Sequence, residues 1–192
     1  MNMRKFFSLS YSPEGECGNA LELVACNIGV FDYLLLKKGK RLGRIPDTVN
    51  LRVAHATNAQ VSANIICEPY GWIIVSRELA KCVLQIAPDD IEILNVPIYD
   101  ESGSPLRKEF FALNALKMLD VISEVKTVRS SIPMFDEYPI LKLGIVRKRV
   151  PENVRAFRVL GEHSTFVVDQ VLRDAVCELP HEGLAFSIID SE

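Results

Sequence analysis

Apolar positions between residues 72 and 96 predict a strand, a helix and a second strand in direct succession. Residues 72–75 form a continuous, mainly β-branched run, which is typical of a strand buried on both faces. Ser76 stands at a helix N-cap position, and the following apolar residues have the i, i+3, i+4, i+7 spacing of one helical face. Those residues are Leu79, Cys82, Val83 and Ile86. Pro88 ends this helix, and residues 91–96 predict the second strand.

The same succession recurs near the C-terminus at a constant offset of 93 residues, the separation of positions 73 and 166. Asp169 then aligns with the cap Ser76, and a closing strand is predicted over residues 184–189. The helix core aligns as well, Leu79 with Leu172 and Val83 with Val176, and we expect these four side chains to be buried. We interpret the two segments as similar strand-helix-strand units of an α+β protein, contributing to one mixed sheet or to packed sheets.

Other segments are less regular. Near the N-terminus, alternation of Phe7, Leu9 and Tyr11 with serines predicts a short strand. Residues 110–120 carry apolar side chains at both helical and strand spacing, so the pattern leaves helix and strand open. We expect Asn114 and Asp120, the polar residues of this segment, to serve a turn or a buried hydrogen bond rather than catalysis.

Length and composition indicate a folded protein. The chain has 192 residues, of which 48% are hydrophobic, and a chain of this size buries about 70% of its unfolded surface without disulfides. We predict one domain, residues 1–192, in which residues 1–70 carry few clear signals. The five cysteines form no CxxC pair and are expected to be reduced thiols, of which none is essential.

Net charge and hydropathy limit the classes of partner that the sequence supports. A net charge of −3 argues against nucleic acid as a partner, and no apolar run approaches the roughly 20 residues that span a bilayer. The basic N-terminus lacks the apolar run of a signal peptide, so we expect a cytoplasmic protein with no membrane partner. The basic stretch 37–41 could attract a polyanion, but without interleaved aromatic residues it is expected to be a solvated hairpin loop.

No familiar catalytic, cofactor or metal motif is present, so we predict no catalytic residue, no cofactor and no metal site. GxGxxG, P-loop and GxSxG patterns are missing, and the histidines have no second ligand at zinc spacing. The acidic pairs 89–90 and 100–101 fall in predicted turns, where carboxylates satisfy backbone groups. Cys82 and Cys177 fall near the apolar faces of the predicted helices and are expected to be buried.

Several segments, in order, carry a family resemblance. They are residues 73–76 with the following helix, 90–97, 110–114 (an aromatic run ending in Asn), 119–124 (Leu-Asp-x-x-Ser-Glu), 156–159, 166–168 and 182–186. Over residues 72–189 the chain resembles a family of bacterial immunity proteins from polymorphic toxin systems, number eleven of that classification and formerly a domain of unknown function. It departs from the family at Asp169, where a Ser is usual, although Asp is an equally good N-cap.

The resemblance implies a noncatalytic, cytosolic protein that binds and neutralises one cognate toxin domain. Two alternatives stay open: a small enzyme with an unrecognised thiol or carboxylate site, for which Cys17, Cys26 and His55 are the candidates, and a regulatory adaptor. The sequence identifies neither the toxin nor the oligomeric state.

Two surface segments are the candidates for contact with a toxin. Loops can vary to match a partner without damage to the core, and aromatic or Arg side chains are frequent anchors of protein interfaces. One segment offers aromatic and acidic side chains together, namely Phe135, Asp136, Glu137 and Tyr138. The other is basic: Arg147, Lys148 and Arg149.

Overall fold

The computed structural model describes residues 3–11, 21–27, 32–54, 64–67, 71–133, 139–181 and 183–192. The helices are α1 (Arg77–Ile86) and α2 (Gln170–Cys177), with 3-10 helices at Tyr33–Lys37 and Arg147–Arg149. The strands are β1 (Phe6–Tyr11), β2 (Leu21–Asn27), β3 (Asn50–Val53), β4 (Ile65–Cys67), β5 (Ile73–Ser76), β6 (Ile91–Val96), β7 (Ile98–Tyr99), β8 (Phe110–Ala115), β9 (Met118–Leu119), β10 (Val128–Arg129), β11 (Ile140–Lys142), β12 (Gly144–Ile145), β13 (Ala156–Val159), β14 (Glu162–Asp169) and β15 (Leu184–Ser191).

Two large sheets organise the described residues. The six-stranded sheet has the order β12-β15-β1-β14-β13-β9, and the seven-stranded sheet has the order β6-β8-β5-β4-β2-β3-β7. Each contains both parallel and antiparallel pairs, for example parallel β12–β15 and antiparallel β1–β15. A separate two-stranded ribbon is formed by β10 and β11. The predicted α+β class with mixed sheets is confirmed.

The two strand-helix-strand segments lie in different sheets, and in each a third strand is inserted between the first strand and the closing strand. In the seven-stranded sheet β8 pairs antiparallel with both β5 and β6, and in the six-stranded sheet β1 does the same with β14 and β15. The register repeats: Phe110 lies opposite Ser76 and Val96, and Phe6 lies opposite Asp169 and Ile189. The inserted strand follows its unit along the chain in one case and comes from the N-terminus in the other.

The helices pack on each other and share a core with both sheets. The Cys82 Sγ on α1 lies 3.5 Å from the carbonyl oxygen of Ala175 on α2. The shared core contains the four helix positions expected from the spacing, and all four are buried as predicted: Leu79, Val83, Leu172 and Val176. Two further apolar clusters cover the opposite faces of the sheets, one around Trp72 and Phe110 and one around Phe6 and Phe157.

Truncating a helix residue of the shared core is expected to destabilise the protein strongly. Leu172→Ala removes buried methyl groups and leaves a cavity, so we expect a loss of about 2–4 kcal/mol in the free energy of unfolding, measured by urea denaturation. The adjacent Val171 is half exposed, and Val171→Ala serves as the control with an expected loss below about 0.5 kcal/mol. Equal losses in the two variants would contradict this assignment of the helix face.

The structure resolves the assignment of residues 110–115 and the environment of three residues at the ends of the helices. Residues 110–115 are a strand, which settles the open assignment. Ser76 occupies the N-cap of α1 and is fully buried at the end of β5, but its side chain makes no capping bond. At the equivalent place the Asp169 Oδ1 does accept from the Leu172 N–H, at 3.0 Å. The expectation that Cys177 is buried is wrong: it follows buried Val176 by one residue, a rotation of about 100° around the helix, and is exposed.

Candidate functional site

A groove of about 350 Å³ lies between β11 and the six-stranded sheet. Four separate segments of the chain supply its walls: Ser8 of β1, residues 140–143, residues 162–165 of β14 and residues 187–189 of β15. Pairing of β12 with the end of β15 brings the preceding β11 alongside the sheet. The groove is therefore a product of topology and not of any local sequence motif.

Small hydroxyl side chains line the sheet side of the groove. Ser8 and Ser187 are opposite each other on β1 and β15, and the Ser8 hydroxyl donates to the Ser187 carbonyl oxygen at 3.4 Å. At the β14 side, the Glu162 carboxylate accepts hydrogen bonds from the hydroxyls of Ser164 and Thr165. The serine and threonine side chains are short, and they therefore leave space in the groove for another chain.

The rim of the groove carries large apolar side chains in contact with solvent, one on β11 and one on β15. Leu141 is 69% exposed and Ile188 is 63% exposed, and both line the groove. On the ribbon, Val128 lies opposite Lys142. We define the ribbon face as the groove-lining residues Leu141, Lys142 and Ile188, of which Leu141 and Ile188 are apolar and exposed. A group of exposed apolar residues with a polar rim is typical of a protein-binding surface.

Charges of both signs surround the ribbon face. The Lys142 Nζ lies 2.8 Å from the Asp190 Oδ2, and this hydrogen bond, together with the lysine charge, lowers the pKa of the Asp190 carboxyl. Arg129 and Glu124 form a second pair, 3.6 Å apart, at the base of the ribbon. Because these charges are paired within the chain, the rim presents little net charge to a partner.

The basic candidates form a short helix after β12, near the C-terminal end of β15. Lys148 and Arg149 are exposed on the 3-10 helix that follows β12. Arg147 is half buried: its Nη2 donates to the Ser191 hydroxyl at 2.7 Å, and its backbone N–H donates to the Glu192 carbonyl oxygen at 2.9 Å. The structure thus gives Arg147 a role in holding the end of β15.

The aromatic and acidic candidates, Phe135, Asp136, Glu137 and Tyr138, lie outside the described residues. In the sequence they connect β10 to β11, the two strands of the ribbon. No feature of the sequence singled out Leu141 or Ile188, because exposed residues in short strands carry no distinctive spacing.

The basic stretch 37–41 lies in the connection between the antiparallel strands β2 and β3, and Lys38, Lys40 and Arg41 are exposed as expected of a solvated loop. It follows a 3-10 helix, and the turn is fixed to the seven-stranded sheet by the buried Glu92 carboxylate, which accepts from the N–H groups of Leu42 at 2.8 Å and Gly43 at 2.9 Å. The Asn114 Nδ2 donates to the same carboxylate at 2.9 Å, which confirms the expected buried hydrogen bond of Asn114. Three donors converging on one carboxylate explain why an acidic residue is tolerated inside the sheet.

Replacing Glu92 is expected to make stability less dependent on pH. Burial raises the pKa of the Glu92 carboxyl, but the hydrogen bonds from Leu42, Asn114 and Gly43, with the Arg41 charge, outweigh burial and lower the pKa below its ordinary value. The stabilisation is therefore complete above the unfolded value and is lost as pH falls through the lowered folded value.

Glu92→Gln places an amide NH₂ group among these donors, so we expect a loss of about 2–3 kcal/mol in unfolding free energy at pH 7. The difference from the wild type should shrink between pH 7 and acid pH, as the pH falls through the lowered folded pKa and the wild-type carboxyl becomes protonated. Urea denaturation at both pH values measures it. A difference that stays constant between them would contradict the role given to the ionised carboxylate.

The other acidic and histidine candidates form contacts within the fold rather than a site. The Asp90 carboxylate accepts from the N–H groups of Arg155 at 2.6 Å and Ala156 at 3.3 Å, so it holds β13 rather than a ligand. The Asp100 carboxylate accepts from the Ser104 N–H at 2.8 Å within its own turn. His181 lies in the loop after α2 with its Nδ1 2.7 Å from the Leu179 carbonyl oxygen.

The thiols that the structure describes are weak nucleophile candidates. Burial raises the pKa of the half-buried Cys82 thiol, and partial desolvation raises the pKa of Cys177 although that residue is exposed overall, which lowers the thiolate fraction of both at neutral pH. Cys17 and His55 lie outside the described residues, and Cys26 belongs to β2 without a described side chain. Within the described ranges, no group of three or more His, Cys, Asp and Glu side chains could hold a metal ion, and no helix is long and apolar enough to cross a membrane.

The fold and the groove define an α+β protein with a candidate protein-binding face. Comparison with protein families assigns it further: the model of the Immunity protein family (Imm11) matches residues 24–190. The chain therefore belongs to the Imm11 immunity protein family. No curated protein matches the chain.

Proposed function

We propose that this protein neutralises one cognate bacterial toxin domain by stoichiometric, noncatalytic binding in the cytoplasm of the cell that makes both. Membership of residues 24–190 in an immunity protein family carries the proposal. Residues 1–192 act in it as a single immunity-type domain, and nucleic acid, membrane and cofactors have no part in the mechanism.

The ribbon face is the proposed centre of the toxin contact. Leu141 and Ile188 supply apolar anchors, and the ion pair of Lys142 with Asp190 supplies part of the polar rim. Such a combination matches the anatomy of inhibitory interfaces, in which a few buried anchors within a polar rim dominate the affinity. The remaining proposed contacts are Phe135, Asp136, Glu137, Tyr138, Arg147, Lys148 and Arg149.

Among the three basic residues, Arg147 is expected to contribute less to toxin binding than Lys148 and Arg149. Arg147 already donates to Ser191, so its guanidinium is less free to reorient toward a partner. Lys148 and Arg149 are exposed and can meet an acidic surface of the toxin. Charges at an interface rim mainly accelerate association, so neutralising these two should slow binding more than it speeds dissociation.

Co-expression tests the proposal. The toxin domain encoded by the adjacent reading frame is expressed alone and together with this protein. We expect growth to stop in the first case and to recover in the second, with a complex of the two proteins on size exclusion. A regulatory adaptor unrelated to toxins would give neither rescue nor a complex.

Cysteine variants separate this proposal from the thiol enzyme. Cys17→Ser and Cys26→Ser should protect the cell as well as the wild type, because an inhibitor that acts by binding needs no nucleophile. A folded Cys17→Ser or Cys26→Ser protein that no longer protects would transfer support to an enzymatic mechanism.

A further inference from the structure

The strand β15 has one paired edge and one open edge. On the first side it pairs with β1 along Leu184–Ile189 without interruption. On the other side β12 pairs with it only at Asp190 and Ser191. No other strand of the described ranges neighbours β15, so this second edge has no strand partner along most of its length.

Main-chain groups of Phe186 and Ile188 point to the open edge. The hydrogen bonds of Glu192 show which main-chain groups point to the side of β12. Its N–H donates to the Ile145 carbonyl oxygen at 3.1 Å, and its carbonyl oxygen accepts from the Arg147 N–H at 2.9 Å. Main-chain groups of a strand alternate in direction with a period of two residues. Ile188 and Phe186 therefore face the same side as Glu192, beyond the end of β12.

The groove adjoins this open edge and continues over the sheet to Ser8 of β1 and Thr165 of β14. Ile188 lines it from the sheet, and Leu141 and Lys142 line it from β11, which runs beside β15 without pairing to it. Proteins usually protect an open edge with charged or proline residues, since a free edge invites pairing with another chain. Here the adjoining side chains are exposed and apolar, Leu141 and Ile188, which favours an edge that has a partner.

We propose that an extended segment of the cognate toxin enters the groove and pairs with β15 as an added strand. The proposal rests on the proposed function and specifies its mode of recognition. The N–H and carbonyl groups of Phe186 and Ile188 would form the new ladder, and alternate side chains of the segment would meet the apolar rim or the hydroxyls of Ser8 and Ser187.

Recognition of this kind fits the charges at the site. Lys142 is already paired with Asp190, so its positive charge is balanced within the chain. Main-chain pairing supplies affinity without charge, and the side-chain positions supply specificity for one toxin.

A proline at position 188 tests the added strand. It removes the N–H that faces the groove while leaving the bonds from β15 to β1 in place, since those belong to the alternate residues. Ile188→Thr is the matched control, because it is also β-branched and keeps the N–H. With the toxin domain from the adjacent reading frame as the probe, Ile188→Thr measures the loss of the apolar side chain alone, and we expect Ile188→Pro to weaken binding at least about tenfold more than Ile188→Thr does.

Amide exchange of the wild-type protein gives a second test that does not depend on folding of the proline variant. Measured by NMR, exchange of the Phe186 and Ile188 amides should slow on addition of the toxin domain. If the wild type binds but these amides exchange at their free rate, strand addition is overturned and the proposed function stands. If the wild type does not bind the toxin domain, strand addition and the proposed function both fail. Protection of the same amides in a dimer of this chain alone would assign the edge to a second copy and would also overturn the proposal.

Discussion

Arg158→Ala should destabilise the protein by about 3–5 kcal/mol, because Arg158 is a fully buried cation that connects two parts of the chain. Its Nε donates to the Leu36 carbonyl oxygen at 3.2 Å, and its Nη1 donates to the carbonyl oxygens of His163 at 2.8 Å and Ser164 at 3.1 Å. Alanine would leave these acceptors without their donor and open a cavity beside the Phe166 ring, whose centroid lies 5.3 Å from the guanidinium carbon.

Burial lowers the pKa of the Arg158 guanidinium to about 10, so the group is still charged at neutral pH. Arg158→Met fills most of the cavity but restores no donor, and we expect it to recover only part of the loss. Urea denaturation of the wild type and both variants measures the two contributions separately. A loss below about 1 kcal/mol in Arg158→Ala would show that the carbonyl contacts do not stabilise the fold.

Leu141→Glu should reduce affinity for the cognate toxin by at least about 100-fold and abolish protection. The side chain is 69% exposed at the rim of the groove, so the change places a charge where the proposed interface is apolar. Burying an unpaired carboxylate in an interface costs several kcal/mol. Stability should change by less than about 0.5 kcal/mol, because this side chain packs against little in the free protein.

Val171→Glu is the matched control for this variant. Val171 is 49% exposed in the first turn of α2, where a carboxylate is tolerated, and it does not line the groove. Binding of both variants to the toxin domain is measured by calorimetry. Equal affinities for Leu141→Glu and the wild type would exclude the ribbon face as the contact surface.

Local patterns predicted the parts of the fold in which one face of an element is buried. Both helices and their flanking strands were evident, because α1 and α2 bury Leu79 and Leu172 on one face and expose the other. For residues 110–115 the sequence pattern does not decide between helix and strand, for the opposite reason. Most of β8 is buried on both faces, including polar Asn114, so alternation is lost and length alone cannot separate strand from helix.

The candidate site depends on long-range pairing that sequence patterns do not reveal. The groove joins Ser8 to Thr165 and Ser187 through the order of strands in one sheet, and that order places the N-terminal strand between two C-terminal ones. Arg158 is a similar case. A single arginine in a strand is expected to be exposed, and the carbonyl groups of Leu36, His163 and Ser164 that surround Arg158 explain its burial.

Titration of toxic activity tests the central claim most directly. The isolated toxin domain is held at a concentration far above the dissociation constant, and its activity is measured as this protein is added. Stoichiometric inhibition predicts a linear fall to zero at a fixed molar ratio, with activity restored when the complex is dissociated by denaturant and the toxin is refolded alone. Complete inactivation by a small fraction of one equivalent, progressing with time and leaving a permanently altered toxin, would contradict a binding mechanism and establish an enzymatic one.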